Sequence, residues 1–140
     1  MGVDPGSKTL GIAVCNSART LVTPLTTIQR TKFTADAQAL LALYDERGCT
    51  GLVVGLPLHM DGGDGRRAQS SRSFVTNLLR VRDLPVVYQD ERLSTFAAGE
   101  RLLEAGVKHA GHKARIDAEA AAIILSNAID AIEAAEDEAP

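Results

Sequence analysis

Val3-Asp4-Pro5-Gly6-Ser7-Lys8-Thr9-Leu10-Gly11-Ile12-Ala13-Val14 reads as a short apolar strand ending in a carboxylate, a tight turn and a second apolar strand. Proline pre-sets φ at the first turn position and glycine accepts the positive φ of the next, so Asp4 is held at the mouth of a hairpin on rigid strands. A carboxylate at that place is either a turn former or the first ligand of a site. Which of the two depends on whether other carboxylates converge on it.

Leu10 to Cys15 and Thr20 to Ile28 are apolar and β-branched and are separated by Asn16-Ser17-Ala18-Arg19. The spacing predicts a meander of three antiparallel strands, with Pro24 at a bulge or on an edge. Phe33, Ala37, Leu40, Leu41 and Tyr44 recur at helical spacing over Thr34 to Arg47, and Gly48 is a stop signal. Gly51-Leu52-Val53-Val54-Gly55 is apolar without alternation, as expected of a central parallel strand buried on both faces. The glycine-rich Met60-Asp61-Gly62-Gly63-Asp64-Gly65 follows where α/β sheets place ligands. A helix over Arg66 to Val81 then puts Ala68, Ser71, Phe74, Val75, Leu78 and Leu79 on one face and arginines elsewhere.

A last strand is expected over Leu84 to Tyr88. Ser94 or Thr95 would cap a helix carrying Phe96, Gly99, Leu103 and Val107. A final helix is expected from near Lys113 to about Ala134, with a frayed acidic tail over 136–140. This order fits one domain over 1–135, a mixed five-stranded sheet with helices on both faces.

Composition agrees with that architecture. Apolar residues make up 45% of the chain and aromatics only 4%, so the core must be built from Ala, Val, Leu and Ile. No apolar run is long enough to span a bilayer and no cationic leader precedes an apolar segment, so a cytoplasmic protein is expected. Cys15 and Cys49 lack paired spacing and are expected to be reduced core residues. The net charge of −3 does not exclude a polyanionic partner. Glu133, Glu136, Asp137 and Glu138 crowd the end of the chain, and without them 15 basic residues face 14 acidic ones.

Three acids stand where the sheet would bring them to one rim: Asp4 leaving the first strand, Asp90 or Glu91 leaving the last, and Asp117 on the final helix. Asp117 follows Ile116 and shares a side with Ala121 and Ile124, so it borders the buried face. Carboxylates gathered at a rim repel one another unless a cation neutralises them. Mg²⁺ or Mn²⁺ takes such oxygen ligands and keeps places for water and phosphate. Two ions would serve an in-line phosphodiester cleavage.

Four blocks now carry a family resemblance. Val3-Asp4-Pro5-Gly6-Ser7-Lys8 with Gly11-Ile12-Ala13-Val14, Val54-Gly55-Leu56-Pro57-Leu58-His59-Met60-Asp61-Gly62, Asp90-Glu91-Arg92-Leu93-Ser94-Thr95, and Ile116-Asp117 with Ala120-Ala121-Ala122-Ile123-Ile124-Leu125 are similar to the YqgF/RuvX family over nearly the whole chain. The resemblance implies a ribonuclease H-like fold with sheet order 3-2-1-4-5, strand 2 antiparallel. It implies a divalent-metal nuclease related to Holliday junction resolvases, with a role in maturing the 5′ end of the 16S ribosomal RNA precursor. Carried over by position, Asp4, Glu91 and Asp117 become the catalytic and metal-binding set, with Asp90 the alternate acid, and two Mg²⁺ or Mn²⁺ ions their cofactors. Only three residues precede Asp4, so a short first strand and a start further in than the relatives' are expected.

Lys8, His59, Arg66, Arg67, Arg92, Lys113 and Arg115 are the candidate nucleic-acid contacts. Cations at a helix start oppose the macrodipole, so helix stability does not explain Lys113 and Arg115, whereas bound phosphates would. His109 and His112 have no Cys or acid at zinc spacing, and surface or phosphate-donor roles are expected for them.

Three other readings compete. Asp4-Pro5-Gly6-Ser7 also resembles the phosphate loop of the actin, heat-shock and sugar-kinase group, but those enzymes clamp ATP between two such domains and this chain has length for one. Gly6 to Gly11 has the spacing of a Walker loop, yet Ile12-Ala13 replace the Lys-Ser/Thr that loop requires. A non-catalytic RNA-binding assembly factor would use the basic helices and keep the acids for structure. The substrate expected is pre-16S ribosomal RNA, with four-way DNA as the alternative, and the assembly a monomer or a homodimer.

Overall fold

A computed structural model describes residues 1–58, 62–63, 65–90 and 109–138, with the helix backbone alone over 109–116. Strand β1 (Gly2–Pro5) pairs antiparallel with β2 (Thr9–Cys15), in the register Asp4↔Gly11 and Gly2↔Ala13. The Gly6 amide donates to the Thr9 carbonyl at 2.8 Å and closes a hairpin turn through Ser7 and Lys8, beyond the Pro5-Gly6 turn expected: Pro5 still pairs with Leu10 as the last residue of β1, and Gly6 does not take a positive φ. β2 pairs antiparallel with β3 (Val22–Gln29), whose register shifts opposite Ile12 and Ala13 so that Leu25 is the extra residue. Pro24 therefore sits at a bulge and also on an edge strand, where its missing N–H costs no ladder bond.

β4 (Leu52–Leu56) is buried along its whole length and runs parallel to both β1 and β5 (Val86–Asp90). The five strands form one sheet in the order β3-β2-β1-β4-β5. Helices α1 (Phe33–Glu46) and α2 (Arg66–Val81) cover one face, and α3 (His109–Glu138) lies across β1, β2 and β3 on the other. On the α1/α2 face Val3, Leu10, Ile12, Leu52 and Val54 meet Leu40, Tyr44, Phe74, Val75 and Leu78. Against α3 the sheet offers Ala13 and Val53 to Ala121, Ala122, Ile124, Leu125 and Ala128.

Several boundaries differ from expectation, each for a local reason. β3 begins at Val22 rather than Thr20 because the Asn16 side chain accepts the Thr20 and Leu21 amides and holds a turn in which Arg19 has φ 58°. β5 begins at Val86 rather than Leu84, since Pro85 has no N–H for the ladder and contributes only its carbonyl, to the Leu52 amide. As a result Asp90, expected to leave the last strand, is its final residue. α3 starts at His109, ahead of Lys113, and continues to Glu138. Lys113 and Arg115 thus fall beyond the first turn, which removes the macrodipole argument made for them. Residues 136–138 of the expected frayed tail are helical, and Glu136 meets Arg19 at 3.3 Å. The helix expected from Ser94 or Thr95 through Val107 lies outside the described residues.

Cys15 packs against the α3-side core and Cys49 against the other, and both are free thiols, as expected. No described helix is long and apolar enough to cross a membrane.

Candidate active site

The site is built by the alternation of β1 and by two glycines. Val3 points into the α1/α2 core, so Gly2 and Asp4 face α3. A Cβ on Gly2 would stand 2.8 Å from the Ala121 carbonyl oxygen and 2.8 Å from Leu125 Cβ. A Cβ on Gly11 would stand 2.0 Å from the Asp117 carbonyl oxygen. Helix α3 therefore lies on the bare backbone of β1 and β2, and Asp117 is set down on Gly11, the cross-strand neighbour of Asp4. The sheet and the helix climb in step: Gly2 meets Ala121, and one helical turn earlier Asp117 overlooks the position of Asp4.

Asp4 is 7% exposed, a carboxylate buried on the middle strand of the sheet. Asp117 is half-buried and its Oδ2 accepts a 2.6 Å hydrogen bond from Thr9 Oγ1. The hairpin turn between them is clamped from outside. The Arg30 amide donates to the Lys8 carbonyl at 2.9 Å and Arg30 Nη1 donates to the Gly6 carbonyl at 2.7 Å. Asp36, 3% exposed, in turn holds Arg30 Nε at 3.8 Å, and the guanidinium lies over the Phe74 ring.

Among the other sequence candidates, Asp90 pairs with Leu56 just as Tyr88 pairs with Val54. Val54 and Tyr88 belong to the α1/α2 core, and Arg72 stacks 5.2 Å from the Tyr88 ring centroid. Asp90 thus stands on the face of the sheet opposite Asp4. Lys8 is exposed in the hairpin turn. Arg66 and Arg67 are exposed at the start of α2, which follows the carboxyl end of β4 and so opens at the same rim as Asp4. Lys113 and Arg115 lie in the α3 backbone shortly before Asp117, and their side chains are outside the description, as are His59, Glu91 and Arg92. Of the three expected acids, Asp4 and Asp117 occupy neighbouring positions, one paired with Gly11 in the sheet and the other laid on it by α3. No group of three metal-ligating side chains occurs among the described residues.

Sequence reasoning missed Gly11, Thr9 and Arg30 as builders of this site. A glycine inside a strand signals a close backbone approach, so Gly11 carried a readable hint. Nothing local marks Thr9 or Arg30, whose partners are remote in the chain.

A hard divalent cation fits the donor set, since both residues offer carboxylate oxygens and neither a sulfur nor an imidazole.

Comparison with known proteins gives three findings. A family model described as RuvX, Holliday junction resolvase, matches residues 1–131. A protein of Paramagnetospirillum magneticum named "Putative pre-16S rRNA nuclease" is 52% identical over 93% of this chain and 84% of its own length. A protein of Paracoccus denitrificans with the same name is 51% identical over 92% of this chain and 82% of its own. Among solved structures, RuvC of Thermus thermophilus in complex with a Holliday junction substrate superposes with a TM-score of 0.56 at 17% identity, covering 94% of this chain and 93% of that one. That likeness shows a shared ribonuclease H-like fold, in agreement with the sheet order.

Proposed function

The chain belongs to the RuvX family, and from that premise we propose that it is a divalent-metal-dependent nuclease that hydrolyses phosphodiester bonds of structured nucleic acid. The observation that carries the reading is that Asp117, from the far end of the chain, is laid on Gly11, the cross-strand partner of Asp4. Glu91 is the third ligand we infer, because strand alternation turns Asp90 to the other face of the sheet.

Mg²⁺ or Mn²⁺ bound there would supply charge neutralisation at the scissile phosphate and a water acidic enough to attack at neutral pH. The protein's part is placement. Asp4 is fixed by β1 and by the clamped turn, so its oxygens need little reorganisation. Asp117 is fixed by α3 and Thr9. Arg66, Arg67 and Lys8, which are exposed, would hold substrate phosphates beside the rim, and His59, Arg92, Lys113 and Arg115 complete the proposed contact set.

The substrate we favour is the 5′ end of pre-16S ribosomal RNA in the cytoplasm, after the names of the relatives at about half identity. The family description favours a four-way DNA junction as the second reading. Purified protein with Mg²⁺ or Mn²⁺ is expected to cleave labelled precursor RNA in an assay run beside a labelled junction. Asp4→Asn should bind the substrate and cleave it about 10³-fold more slowly or worse. Equal cutting by that variant overturns the assignment, and cutting of the junction alone changes the substrate. Normal ribosomal RNA maturation in cells carrying Asp4→Asn would instead identify a non-catalytic assembly factor.

A further inference from the structure

We infer that Thr9 is a positioning residue of the acidic site, whose hydroxyl sets the Asp117 carboxylate for the cation and locks helix α3 to the hairpin that carries Asp4. The inference rests on reading Asp4 and Asp117 as cation ligands.

Thr9 is bonded in two directions. Its carbonyl accepts the Gly6 amide at 2.8 Å, which closes the turn that follows Asp4. Its hydroxyl donates to Asp117 Oδ2 at 2.6 Å, across 108 residues of sequence. One residue therefore joins the main chain beside the first acid to the side chain of the second.

The direction of the bond follows from chemistry. An ionised carboxylate only accepts, so Thr9 supplies the proton, and the remaining lone pairs of Asp117 stay open to a cation. A hydroxyl bond to a carboxylate is charge-assisted and short, as this one is. Thr9 is β-branched and sits in a strand, so its χ1 is restricted before the bond forms and little freedom is lost in making it. Thr9 also shares the α3 face with Gly11, two residues on, where the helix comes closest.

Simple attachment of the helix does not call for this arrangement. Along the rest of its packed face α3 meets the sheet through Ala121, Ile124, Leu125 and Ala128, and valine at position 9 would add an apolar contact of the same shape. The hydroxyl is directed to Asp117, the α3 residue laid on Gly11, the cross-strand partner of Asp4. Groups that orient metal-ligating carboxylates in this way typically change metal affinity by about 10–100-fold when removed.

The test is Mn²⁺ binding to the full chain without nucleic acid, read from the electron paramagnetic resonance signal of free Mn²⁺, with the fold checked by circular dichroism in EDTA. Thr9→Val should weaken Mn²⁺ binding by about 10–100-fold, while Thr9→Ser, which keeps the hydroxyl, should stay within about threefold of the unsubstituted protein. Unchanged affinity in Thr9→Val overturns the inference, and so does equal weakening in Thr9→Ser, which would indicate packing by the methyl group. The underlying reading fails separately. If Asp117→Asn binds Mn²⁺ as tightly as the unsubstituted protein, Asp117 is no ligand and both readings fall together. Should Thr9→Val not fold, the comparison of Thr9→Ser with Thr9→Ala decides: loss in alanine and retention in serine supports the hydroxyl, and equal affinity in the two overturns it.

Discussion

The two faces of the sheet are packed by different means. On the α1/α2 side, branched and aromatic side chains fill the space, with Leu40, Leu52 and Leu78 fully buried and Phe33 edge-on to Phe74. On the α3 side, glycines in the strands and alanines in the helix bring backbone against backbone. Large side chains remove more apolar surface from water and so contribute more to stability. Small ones contribute less but leave no slack in position. The face that stabilises the fold is thus not the face that fixes the acids, and the closeness of α3 is what sets Asp117 over the neighbour of Asp4.

That contrast is open to direct attack. Gly11→Ala should have the largest effect. Its methyl group would lie 2.0 Å from the Asp117 carbonyl oxygen, so α3 must lift. We expect a loss of about 3 kcal/mol or more together with loss of Mn²⁺ binding and cleavage, measured by urea unfolding and by cleavage of labelled RNA. A variant as stable and active as the unsubstituted protein would end the claim of close approach.

Leu40→Ala tests the other face. It should cost about 2–5 kcal/mol and lower the midpoint of urea unfolding, yet leave the cleavage rate per folded molecule unchanged below the transition. A fall in that rate would show that the two faces are mechanically coupled after all.

Arg30→Ala sits between them, since Arg30 lies over Phe74 of α2 and pairs with Asp36 of α1 but holds the hairpin turn at Gly6. Removing it leaves the buried Asp36 without its ion pair, and about 1–3 kcal/mol of destabilisation is expected. Cleavage should slow only modestly, because β1 still holds Asp4, and steady-state rates beside unfolding curves separate the two effects.

The smallest effect concerns Tyr44, whose pKa is pushed above its ordinary 10.0 by burial, with the charges of Cys49 and Asp45 adding and Arg82 opposing. A raised folded-state pKa means that the unfolded chain ionises first. The stability it confers is fully present below pH 10 and is lost as pH rises through the folded value. Tyr44→Phe should therefore flatten the alkaline limb of a stability profile, by at most about 1.4 kcal/mol per pH unit, without changing cleavage. A profile unchanged by the substitution would remove the Tyr44 contribution.

Much of this was legible in the chain itself. The range of α2 was read as it stands, because Gly65 precedes it and Ala68, Ser71, Phe74, Val75 and Leu78 keep strict helical spacing. The unbroken apolar run of β4 announced a strand buried on both faces. The start of α3 was missed because Gly111 and the flanking histidines look like a break, yet the helix runs through them, since such local preferences are weak. Pro85 hid the true start of β5, and with it the face on which Asp90 falls.

The sequence by itself determined that a hairpin follows Asp4, the strand and helix order, and the acids from which a site is proposed, since hydrophobic period is a local property, whereas the turn fell on Ser7 and Lys8 and not on Pro5-Gly6. Only the tertiary structure decided which acids share a face. Strand alternation sent Asp90 to one face and Asp4 to the other, the bare backbone of Gly11 let α3 settle at its depth, and Thr9 reached across to Asp117. Those outcomes depend on register and on distances between elements remote in the chain, and no local pattern encodes either.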